Sequence, residues 1–100
     1  MAFEIKLSAV AQKELEESVD WYNERVDGLG KRFIEAIDKR LALLADTPDM
    51  FPVKLSGYNE VSVEDFPYLI VYKIIKKGNK VRILHVFHTK RNPVLKNKHH

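Results

Sequence analysis

Tyr68-Leu69-Ile70-Val71-Tyr72-Lys73-Ile74-Ile75, then Lys76-Lys77-Gly78-Asn79, then Lys80-Val81-Arg82-Ile83-Leu84-His85-Val86-Phe87-His88 is the run that decides the fold. Its first part is dense in β-branched and aromatic side chains, which suit a pleated, packed surface, and predicts a strand from Tyr68 to Ile75. Lys77-Gly78-Asn79-Lys80 reads as a two-residue hairpin turn, because glycine and asparagine tolerate positive φ. Val81 to Phe87 then returns alongside. Period-two alternation puts Tyr68, Ile70, Tyr72 and Ile74 on one face and Leu69, Val71 and Ile75 on the other. Both faces are substantially apolar, the pattern of a central strand. Helices are expected to cover one of them, and a partner to cover part of the other.

Working outward, Tyr58 to Val63 reads as a further strand, reached by a connection from Met50 to Gly57 that contains Pro52. Upstream the period becomes helical. Leu29, Phe33, Ile37, Leu41 and Leu44 mark the buried stripe of a helix from about Leu29 to Ala45, with Ile34 widening it. Asp46-Thr47-Pro48 ends it, since proline lacks a donor and disfavours helix in the residue before it. An earlier helix starts at Ala9, with Ser8 as N-cap, and carries Ala11, Leu15, Val19, Tyr22 and Val26 on its stripe. Asp27-Gly28 breaks it. Glu14, Glu16, Glu17, Asp20 and Glu24 read as a solvated face near the positive end of the helix dipole. Trp21 sits at the stripe's margin, where a ring packs and its N–H reaches outward. Phe3, Ile5 and Leu7 alternate with Glu4 and Lys6 as a first short strand. The fold class is therefore α+β: an N-terminal strand, two antiparallel helices, then an antiparallel sheet ending in a hairpin. Residues 1–98 form a single domain, and His99-His100 read as a tag remnant.

A chain of 100 residues that is 45% hydrophobic and 31% charged is a globular composition for one core. No stretch approaches the ~20 apolar residues needed to span a bilayer. Met1 to Lys6 lacks the basic-then-apolar order of a signal peptide. The absence of cysteine suits a reducing compartment. The expectation is a cytoplasmic protein without a membrane partner. Gly28 and Gly30 match no nucleotide fingerprint, the serines lack a nucleophile-elbow context, and His85 and His88 point to opposite faces of their strand. No cofactor and no metal are expected. The net charge of +3 is uneven: residues 1–50 carry 7 Lys/Arg against 11 Asp/Glu, and residues 51–100 carry 10 against 3. The basic half reads either as lysines that keep a sheet edge soluble and unpaired, or as a surface for phosphates or an acidic protein.

The last strand runs into a compact cationic cluster, His88, Lys90 and Arg91, before Pro93. Taken alone it is either a polar exit loop or a binding site. Four pieces in order resemble the RelE/ParE toxin superfamily, also called plasmid-stabilisation proteins. They are Ser8-Ala9-Val10-Ala11-Gln12-Lys13-Glu14-Leu15, Leu29-Gly30-Lys31-Arg32-Phe33 with Leu44 through Pro48, Phe66-Pro67-Tyr68-Leu69-Ile70-Val71-Tyr72, and Val86-Phe87-His88-Thr89-Lys90-Arg91-Asn92-Pro93. The resemblance implies a bacterial toxin neutralised by an antitoxin. RelE-like members cut messenger RNA on the ribosome with basic side chains on the sheet, and ParE-like members poison DNA gyrase by binding. Laid on this chain, the RelE pattern puts its two lysines at about Glu60 and Ser62 and an arginine at Leu69. A further arginine falls at Arg91, and a final tyrosine near Leu95-Lys96-Asn97, where none stands. Carboxylate, hydroxyl and isobutyl groups do not stabilise phosphate charge as lysine and arginine do. The ParE-like reading is therefore preferred, with His88, Lys90 and Arg91 as target-binding residues. The alternatives are an RNA endonuclease built on Arg82, His88, Lys90 and Arg91, with His88 as general acid or base, or a non-toxic relic that only binds.

Overall fold

A computed structural model of the chain describes residues 2–54 and 57–90. Strand β1 (Glu4–Leu7) leads into helices α1 (Ala9–Arg25) and α2 (Leu29–Asp46). A short 3-10 helix (Pro48–Met50) follows, then strands β2 (Asn59–Ser62), β3 (Tyr68–Ile75) and β4 (Lys80–His88). The sheet order is β1-β4-β3-β2. The expected antiparallel pairing holds for β2 with β3 and for β3 with β4, while β1 lies parallel to β4, with Ile5 beside Val81 and Leu7 beside Ile83.

The β3–β4 turn departs from the two-residue expectation. Ile75 pairs with Lys80, so Lys76 to Asn79 form a four-residue loop closed by an Asn79 N–H to Lys76 carbonyl bond of 3.1 Å. A tighter turn would have placed Lys77 directly across from Lys80, and like charges directly opposite are destabilising. Gly78 and Asn79 do take the positive φ values, 86° and 51°, that their side chains permit. Farther along, Val71 opposes His85 but Tyr72 opposes Ile83, so Leu84 is an extra residue bulged out of β4. That bulge returns Val86 to the helix-facing side after Ile83.

Ser8 caps α1, its Oγ accepting from the Ala11 amide at 3.0 Å. α1 carries no acidic residue in its first turn, so the dipole argument does not account for its carboxylates. Val26 is the C-cap and 58% exposed, not part of the stripe, because α1 ends before it could turn inward. Gly28 makes the αL link at φ 83°, and α2 starts at once. At the junction the Gly30 amide donates to Asn23 Oδ1 at 2.9 Å, and a Cβ on Gly30 would sit 2.6 Å from that oxygen. Side-chain-free glycine lets the two helix ends approach.

The core lies between the helices and one face of the sheet. Phe33, Ile37 and Leu44 of α2 and Ala11, Leu15 and Tyr22 of α1 meet Tyr68, Ile70, Tyr72, Val81, Ile83 and Val86. Phe33 anchors an aromatic group with Tyr22, Phe66 and Tyr68, at ring distances of 5.3, 5.3 and 4.7 Å. Buried tyrosines need hydroxyl partners. Tyr72 donates to the Pro48 carbonyl and Tyr68 to Ser18 Oγ, each at 2.8 Å. Burial, with Asp49 adding to it, pushes the Tyr72 hydroxyl up to about 12, so it stays a donor. On the opposite face, Val71 and Phe87 are also buried, outside this main core. The two-faced apolar pattern of β3 is thus real.

Candidate functional site

β1 stops at Leu7 and the chain turns away into α1, so among the described residues no strand pairs with β4 on that side beyond Ile83. An open edge exposes backbone donors and acceptors. Here α1 meets them with side chains: Ser8 Oγ donates to the Leu84 carbonyl at 2.9 Å, and Glu14 Oε1 accepts from the Val86 amide at 2.8 Å. Glu14 is therefore not a member of the solvated carboxylate face. Burial raises its pKa from 4.5 to about 7, the Val86 amide pulls it down, and the nearby Glu17 charge pushes it up again. The imidazole Nδ1 of His85 lies 3.5 Å from Glu14 Oε1, and burial lowers the His85 pKa below its ordinary value. Desolvation thus favours the neutral form of each partner near neutrality, and the contact is not a settled ion pair.

His88 ends β4 on the helix-facing side, across from Tyr68, and the two rings meet edge to face at 5.3 Å. Its Nδ1 accepts from the Lys90 amide at 3.0 Å, which leaves Nε2 to carry the proton of the neutral ring. Between this end of β4 and α1 lies a cleft of about 230 Å³, lined by Glu14, Glu17, Ser18, Trp21, Tyr68 and His88 among others. Trp21, partly buried at its margin as expected, carries the Arg25 guanidinium 3.5 Å above its ring.

The expected site residues do not form one cluster. His88 and Lys90 sit together at the end of β4. Arg82 lies six residues earlier on the same strand, roughly 20 Å away by strand rise, and on the opposite face, in register with Lys73. Arg91 lies outside the described residues, as do Leu95 to Asn97, His99 and His100. The positions matched to the RelE basic residues do come together. Ser62 pairs with Leu69 and Glu60 with Val71, on the sheet face away from the helices, where Leu69 opposes Phe87. That patch holds a carboxylate, a hydroxyl and apolar groups.

A carboxyl near pKa 7 and an imidazole in one cleft have the proton-transfer chemistry of an acid/base pair. The lining of the cleft holds no lysine or arginine among the described residues, whereas phosphoryl chemistry needs donors or cations where charge develops. No group of three metal-ligating side chains occurs among the described residues, and no described helix is long and apolar enough to cross a membrane. Sequence reading overlooked Glu14. Glu14, Ser18 and Trp21 follow helical spacing beside the buried stripe, a signal that was available.

This arrangement, two helices on one face of a four-stranded sheet with β1 parallel beside β4, is the fold of the RelE/ParE toxin superfamily. A chain of the chromosomal ParDE toxin–antitoxin system from P. aeruginosa superposes with a TM-score of 0.75 at 15% identity, covering 89% of this chain and 98% of that one. A mutant E. coli toxin RelE in the free state superposes with a TM-score of 0.60 at 17% identity, covering 96% and 93%. No curated protein sequence matches the chain. Over residues 5–93 the sequence matches the family described as the ParE toxin of type II toxin–antitoxin system, parDE, and the chain belongs to that family.

Proposed function

We propose that this chain is a ParE-type toxin that acts by binding a macromolecular target such as DNA gyrase, and that a cognate antitoxin holds it silent. One observation carries the choice of binding over cleavage. Of the four positions that the resemblance gives to RelE's basic residues, three are Glu60, Ser62 and Leu69 here, gathered around buried Val71 and Phe87, and only the fourth, Arg91, keeps its charge. Glu60, Ser62 and Leu69 bring no cation to stabilise phosphate charge, which favours binding over cleavage. His88, Lys90 and Arg91 serve as target contacts. The antitoxin has apolar surface to cover: Val53, which bridges to Asn59, is 61% exposed, next to Tyr58 at 37% and near Met50 at 58%. Co-expression with the product of the adjacent gene should give a complex that survives sizing at low salt; clean separation would remove the antitoxin from the reading.

The cleft gives an RNA endonuclease one specific point in its favour, since Glu14 and His88 share it. The two mechanisms part on induction of the toxin alone. A gyrase poison filaments cells and provokes DNA damage while messenger RNA stays intact. An endonuclease arrests translation within minutes and leaves cut transcripts. Arg91→Ala should weaken toxicity in part on the binding reading. For an endonuclease it would cost ~3–4 kcal/mol of transition-state stabilisation, the scale of a lost oxyanion donor, and abolish activity. Ribosome-bound messenger cut by the wild type and spared by that variant would overturn the proposal.

A further inference from the structure

The register of the sheet places three cations in one row on the face away from the helices. Lys6 of β1 pairs with Arg82 of β4, and Arg82 pairs with Lys73 of β3. Lys80 stands one position along, beside Glu4, and Lys76 and Lys77 lie in the loop at the same end. Lys6, Lys73, Lys80 and Arg82 are all exposed. Among the described residues the ion pair they make is that of Lys6 with Glu4, at 3.4 Å. A shallow cleft of about 340 Å³ opens there, lined by Lys6, Leu7, Ile75, Lys80 and Arg82.

Edge protection does not explain the row. Lysines that discourage edge pairing belong on edge strands, but the order β1-β4-β3-β2 makes β4 and β3, which carry Arg82 and Lys73, interior strands. Like charges side by side across strands oppose the fold, and no described carboxylate pairs with Lys73 or Arg82 to offset them. From β1 to β3 the row spans two inter-strand steps, ~10 Å. That is the axial rise of about three phosphates on one strand of a duplex, at ~3.4 Å each. Among the described residues no aromatic side chain lines the cleft, so unpaired bases would find no stacking platform there.

We infer that the Lys6–Lys73–Arg82 row, with Lys80 beside it, is a sequence-independent docking site for the phosphate backbone of double-stranded nucleic acid. The row shares the sheet face of the Ser62–Leu69 patch but lies at the hairpin end of β3 and β4, about 13 Å from Leu69 by strand rise, while His88 stands on the opposite face. The row's existence does not depend on gyrase being the target. Lysine and arginine fix the backbone through charge, and affinity falls as salt replaces the released counterions.

The test is fluorescence anisotropy of the purified full chain with a labelled mixed-sequence 20-base-pair DNA duplex. Four contacts predict a slope of log affinity against log salt of about −3 to −4, a loss on the order of 100-fold between 50 and 200 mM. The triple variant Lys6→Ala, Lys73→Ala, Arg82→Ala should flatten that slope by about 3, with a cooperative melt at or above the wild-type temperature confirming its fold. Lys96→Ala with Lys98→Ala, in the basic C-terminal run, should leave the slope within about 1 of wild type. A triple variant that binds duplex like the wild type would overturn the inference. So would tighter binding of the corresponding single strand, or a triple variant that loses an acidic protein partner while keeping DNA.

Discussion

Glu14→Gln keeps an acceptor for the Val86 amide while removing a charge that the fold desolvates, so it measures what that carboxylate costs. The native pKa is raised from 4.5 to about 7. Below 4.5 both folded and unfolded chains hold the proton, and the folded state has its full advantage. As pH rises through this window the unfolded chain releases its proton first, so stability falls with pH and levels off above about 7. At ~1.4 kcal/mol per pH unit, the ceiling is about 3 kcal/mol. The side chain is 20% exposed, and solvent screening reduces the expected effect to about 2 kcal/mol. His85 acts with the opposite sign: burial lowers its pKa, so stability falls as pH drops below its ordinary value of 6.5. The wild type alone therefore shows a muted profile, and the difference between variant and wild type is the informative quantity. Urea unfolding at pH 5 and pH 8 should find the variant more stable by about 2 kcal/mol at pH 8, or roughly 8–16 °C in Tm, with most of the gap closed at pH 5. A variant no more stable than wild type at pH 8, or a gap equal at both pH values, would refute the assignment of Glu14 as a buried, desolvated acid.

Ser8→Ala removes the α1 cap and the bond to the Leu84 carbonyl together, and should cost about 1–2 kcal/mol by chemical denaturation. Tyr72→Phe leaves the Pro48 carbonyl without its hydroxyl partner in the core, an expected loss of about 1–3 kcal/mol read as a lower melting temperature. Gly30→Ala should destabilise the chain although alanine favours a helix by about 1 kcal/mol, because the new methyl displaces the Asn23 amide. Asn23→Ala combined with it should recover part of that loss, and an unchanged double variant would argue against the steric cause.

Short-range physics carried most of the fold. Strand β3 runs from Tyr68 to Ile75 as its β-branched run predicted, and Ser8 caps α1 while Gly28 makes the link into α2, because capping and positive φ are local demands. The four ordered pieces also carried the family, which residues 5–93 match. What lay beyond the sequence depended on which strand lies beside which. Parallel addition of β1 to β4 has no local signature, yet it leaves the last part of β4 open and draws Glu14 out of a run of solvated carboxylates to fill it. The same pairing brings Lys6, Arg82 and Lys73, far apart in the chain, into one row. Arg82 could be joined to His88 on paper because both stand on β4, but the strand rise separates them and the faces they occupy are opposite. Side-chain type and helical or strand period are properties of neighbours in sequence. A desolvated carboxylate and a row of cations are properties of neighbours in space, and strand order and register alone decide those.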